Sequence, residues 1–89
     1  MSKKQALEST EFATDDKFLA AFLLSRSHPL VDHYQNEKRF LVFQFRKSPA
    51  IFTDFNEYVN NDATILVKDF INAFQTINAI IRTVREQDA

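Results

Sequence analysis

Five runs rich in apolar residues, separated by polar stretches, set out the elements of this chain. In "TDDKFLAAFLLSR", Phe18, Leu19, Phe22 and Leu23 form one stripe at helical spacing, widened by Ala20, Ala21 and Leu24. That breadth predicts a helix covered on more than one side. Thr14 is the expected N-cap, Asp15 and Asp16 suit the first turn, and Pro29 stops the helix after Arg26. Leu30 to Tyr34 reads as a short strand and Arg39 to Arg46 as its hairpin partner, joined by "QNEK", with Asn36 expected in the left-handed conformation. Ser48 and Pro49 open a second helix whose inner face is Ile51, Phe52, Phe55, Tyr58 and Val59, and Asn60 and Asn61 close it. "DATILV" is an extended link, partly a third strand. The last helix spans about 68–85. Val67, Phe70, Phe74, Ile77, Ile81 and Val84 recur at alternating steps of three and four, an a/d seam with Phe74 near its centre.

The expected fold is therefore α+β: a small single domain of order α-β-β-α-α, with an antiparallel hairpin packed against helices. Residues 1–11 read as a flexible N-terminal tail, 12–86 as the domain and 87–89 as a frayed C-terminus.

"KRFLVFQF", residues 38–45, sharpens the picture. Side chains of a strand alternate between faces. Leu41, Phe43 and Phe45 fall on one face, Phe40 and Val42 on the other. Helices of the same chain can cover the first. A second apolar face calls for another layer, which predicts completion by homo-oligomerisation, with a dimer favoured. The expected self-association surface is Phe40 and Val42 from the strand with Phe70, Phe74, Ile77 and Ile81 from the last helix.

Composition supports that expectation. A chain of 89 residues buries a smaller share of its surface than a larger domain does. It has no cysteine, hence no disulfide to stiffen it. Ten phenylalanines and two tyrosines make the core from few, large pieces. There is no glycine, which excludes phosphate-binding loops, dinucleotide fingerprints and nucleophile elbows at once. No apolar run approaches the roughly 18–20 residues that span a bilayer, and "MSKKQALEST" has no apolar signal core. A cytoplasmic protein without a membrane partner is expected.

Chemistry-bearing groups are sparse. Eleven basic and twelve acidic side chains give a net charge of −1, unlike a protein built to neutralise a phosphate backbone. Lys38, Arg39, Arg46 and Lys47 give the hairpin a cationic bias, read either as strand-edge protection or as an anion or nucleic-acid contact. Lys38, Phe40 and Phe45 match positions of an RNA-recognition strand signature, without its glycine. His28 and His33 are the only histidines, and their setting argues against a metal site. Five serines offer no evident nucleophile–base pair, and Ser48 is already a cap. No enzyme activity, catalytic residue or cofactor is expected.

Phe12, Thr14 and Asp16, then "LAAFLLSR" leading to His28, then Val42 to Phe45, and finally Phe70 with Ala73 form a pattern. In these features the chain resembles a family of short uncharacterised proteins from bacteria and their phages, over about residues 11–83. That family often carries glycine where this chain has Ser27 and Asn60 or Asn61. The resemblance implies a phage or mobile-element origin and supplies no site residues. The functional expectation is a small non-catalytic cytosolic interaction protein that binds a host macromolecule, with a protein as partner. The alternative is a nucleotide- or nucleic-acid-binding module that uses the cationic hairpin, nucleic acid being the less favoured partner.

Overall fold

A computed structural model describes residues 11–88. The element order is β1 (Glu11–Thr14), α1 (Lys17–Ser25), β2 (Leu30–Gln35), β3 (Leu41–Arg46), α2 (Pro49–Val59) and α3 (Val67–Asp88). The three strands form one antiparallel sheet with β3 in the centre, in the order β1-β3-β2. The fold is thus α+β with a strand ahead of the first expected helix. Glu11 opens that strand, and the rest of the expected tail, residues 1–10, lies outside the described residues. "DATILV" adds no strand; it leads directly into α3. The third strand is β1, too short and too polar at its ends to show a period in the sequence.

Register explains the opening pattern. Residues directly opposite in an antiparallel pair share a face. Phe12 and Leu30 both oppose Phe45, and Thr14 opposes Phe43. This is the helix-covered face, where Phe43 and Phe45 are buried with Leu19, Leu23, Ile51 and Ile77. Val42 and Gln44 point the other way, beside Tyr34, Asp32 and Ala13. That second face is mostly polar: Val42 is buried between neighbouring strands, Gln44 is half-buried, and the other three are exposed. Phe40 does not belong to it, because the strand begins only at Leu41. The two apolar faces of "KRFLVFQF" thus reduce to one, and the sheet does not require a second layer.

Local chemistry fixes the ends. Asp16, not Thr14, is the N-cap of α1; its carboxylate accepts from the amides of Phe18 and Leu19, while Thr14 Oγ1 accepts from the Asp16 amide. At the end of α1, Ser27 has φ 69°, its amide donates to Leu24 O, and the His28 amide donates to Leu23 O. This is a Schellman stop. The end of α2 repeats it: Asn61 has φ 62°, with the Asn61 amide on Tyr58 O and the Asp62 amide on Glu57 O. A chain without glycine places Ser and Asn where the backbone turns left-handed.

Candidate functional site

Three arrangements of side chains emerge from this frame. The first is a clamp at the C-terminal end of α1. Asp54, on the exposed side of the α2 pattern, accepts from Arg26 Nη1 at 2.7 Å and from His28 Nε2 at 2.6 Å. Arg26 Nη2 also reaches Thr64 O at 2.7 Å and Glu57 Oε1 at 3.4 Å. The guanidinium sits 4.7 Å from the Phe22 ring centroid. His28 is the one buried polar side chain among the described residues. The clamp joins α1, α2 and the strand-free link before α3, and it offers no nucleophile. The sequence argued against a metal at His28 and His33 without giving either a partner; the structure sets His28 on Asp54 and leaves His33 exposed on β2.

Close by, the Tyr58 hydroxyl donates to Asp16 Oδ2 at 3.2 Å. Burial raises the Tyr58 pKa above the usual 10.0, and the charge of Asp16 and the hydrogen bond to it push the same way.

The second arrangement is apolar. Val67, Phe70, Ile71 and Phe74 share one face of α3 at spacings of three and four. Phe70 stacks on Phe74 at 5.9 Å, and Phe74 stacks on Phe18 of α1 at 5.4 Å. The Lys17 ammonium lies 5.4 Å from the Phe18 centroid. This face stays open: Leu66 and Val67 are each 72% exposed, Phe18 50% and Ile71 46%. Of the residues expected to self-associate, Phe70 and Phe74 line it. Ile77 is fully buried in the chain's own core, Val42 is buried in the sheet and Ile81 is half-buried against the core. Phe40 is exposed at the far end of the molecule's sheet, on the hairpin turn. Phe18, Leu66 and Ile71 were missed. The wide stripe of α1 was the signal for Phe18, and Ile71, apolar but off the α3 seam, was the signal on the last helix.

The third is the β2–β3 turn. Asn36 is not its left-handed residue. Its Oδ1 accepts from the amides of Lys38 and Phe40, its carbonyl accepts from the Arg39 amide, and Arg39 takes φ 70°. That is a tight turn closed by a left-handed residue, as in three-residue hairpin loops. Lys38 and Arg39 stand at this end, Arg46 and Lys47 at the other, with about 20 Å of strand between them. The four cations do not form one patch. Phe45, the third match to the RNA-recognition signature, is fully buried, and among the described residues the sheet has three strands rather than four.

These features define a small α+β domain with a three-stranded antiparallel sheet covered by helices on one face and an open aromatic face on its last helix. The chain belongs to the family described as a domain of unknown function (DUF5659), whose model matches residues 9–83. No curated protein and no solved structure matches it. Among the described residues, no helix is long and apolar enough to cross a membrane.

Proposed function

We propose that the chain is a non-catalytic cytoplasmic interaction protein that works as a homodimer, joined through the N-terminal half of α3 and Phe18. The observation that carries this reading is the exposed apolar face built from Leu66, Val67, Ile71 and Phe18 around the Phe70–Phe74 stack. Soluble monomers rarely leave such a contiguous face uncovered. A single helical face is self-complementary, so a two-fold axis lets two copies cover each other. The resemblance to bacterial and phage proteins favours a host macromolecule as the dimer's target.

Sedimentation velocity over a wide concentration range tests the dimer. The wild type is expected to shift between monomer and dimer. Ile71→Lys with Val67→Glu is expected to remain monomeric without a lower melting temperature, because both side chains are exposed. A wild type that stays monomeric at tens of micromolar overturns the reading.

A further inference from the structure

We propose that the hollow between the β2–β3 turn and the C-terminal half of α3 is a binding site for a nucleoside phosphate. The hollow holds about 230 Å³. Its floor is apolar, made by Leu41, Phe43, Ile81 and Val84. Its rim carries two guanidinium side chains from distant parts of the chain, Arg39 on the hairpin turn and Arg85 in the last turn of α3. Guanidinium groups match phosphate oxygens in fork-to-fork geometry. The Phe40 ring stands at the mouth, 55% exposed, and borders a second hollow lined by Tyr34 and Lys38. An exposed ring beside cations is the arrangement on which a base stacks while its phosphate is held. Asp15, Lys17 and Gln35 complete the rim. A carboxylate would repel a bare phosphate, but it accepts hydrogen bonds from ribose hydroxyls or an amino group on the base. That difference favours a nucleoside phosphate over an inorganic anion.

The turn is built to hold these groups in place. The Asn36 side chain ties down the amides of Lys38 and Phe40, and the Gln35 amide donates to the Arg39 carbonyl at 3.4 Å. Arg39 occupies a left-handed position that Asn or Gly would fill with less strain. Along α3 the open aromatic face ends at Phe74, about 10 Å before Ile81 of the hollow, and Lys17 borders both.

Calorimetric titration of the full chain with uridine monophosphate, an all-uridine decamer, phenyl phosphate and inorganic phosphate tests the site. Saturable binding of the nucleotide is expected, with phenyl phosphate and inorganic phosphate clearly weaker. Arg39→Asn should weaken it about 10- to 100-fold, the worth of a charge-assisted hydrogen bond. Asn adopts the left-handed conformation readily, and melting temperatures of both variants, measured beside the titrations, separate lost binding from lost folding. Phe40→Ala should cost about tenfold through lost stacking. Tighter, salt-steeper binding of the decamer would mark a single strand as the natural ligand; equal affinity per site would mark the free nucleotide. No saturable binding at millimolar nucleotide overturns the proposal. So does equal affinity for phenyl phosphate or inorganic phosphate, or unchanged binding by both variants.

Discussion

His28 Nε2 donates to Asp54 Oδ2 across 2.6 Å, tying the residue just past α1 to the middle of α2. The same carboxylate holds Arg26 through its other oxygen, so one side chain serves two cationic or polar partners that are themselves mostly out of solvent. Removing the acceptor leaves a buried ring N–H without a partner. Asp54→Ala should lower stability by about 2–3 kcal/mol, since an unsatisfied buried polar group costs about 1–3 kcal/mol and Arg26 loses its shortest side-chain contact as well. Chemical denaturation reads the change, and an unshifted midpoint would show that the clamp is dispensable.

Ile77, rather than Phe74, is the anchor of α3. Ile77 is fully buried, whereas Phe74 keeps one side on the open face. Ile77→Ala should cost about 2–5 kcal/mol, as for other large-to-small core changes. Phe74→Ala should cost less in the monomer, about 1–2 kcal/mol, mainly through its stacks on Phe18 and Phe70. Denaturant midpoints measured below the association range give the order, and a reversed order would place Phe74 in the core.

Two helix stops carry strain that glycine would relieve. Ser27→Gly should raise stability by about 1 kcal/mol, because an L-residue at φ 69° works against its Cβ. Asn61→Gly should gain less, since asparagine tolerates φ 62° better than serine does. Thermal unfolding of both variants provides the check. A Ser27→Gly protein that melts lower than wild type would mean that its turn is not left-handed in solution.

Tyr58 links stability to alkaline pH. Its folded pKa is raised by burial and by Asp16, so the folded state holds the phenolic proton more tightly than the unfolded chain does. Its contribution is complete below pH 10.0 and fades as pH rises through the folded value. Tyr58→Phe should therefore flatten the fall in stability above pH 10.0 while losing the bond to Asp16. Urea midpoints taken from neutral to alkaline pH test this, and identical slopes in the two proteins would refute the linkage.

Much of the fold was written in local pattern. The period of α3, the Ser48–Pro49 start of α2, the hairpin and the Asn60–Asn61 stop all follow from side-chain spacing and backbone preference, which act within a few residues. The resemblance drew attention to Ser27 and to Asn60 or Asn61, and in the structure Ser27 and Asn61 are left-handed. What the sequence could not state was partnership between distant segments. β1 is four residues long and becomes a strand only because the β3 edge supplies its hydrogen bonds. Asp54 reads as a solvated position on α2 until the fold brings Arg26 and His28 to it. The seam of α3 looked like one surface, yet tertiary packing divided it: Ile77 turned inward against α1 while Val67 stayed in water. Periodicity determines which residues share a side of a helix. Only the position of the neighbouring elements decides which part of that side is buried, because burial depends on contacts between residues far apart in the chain.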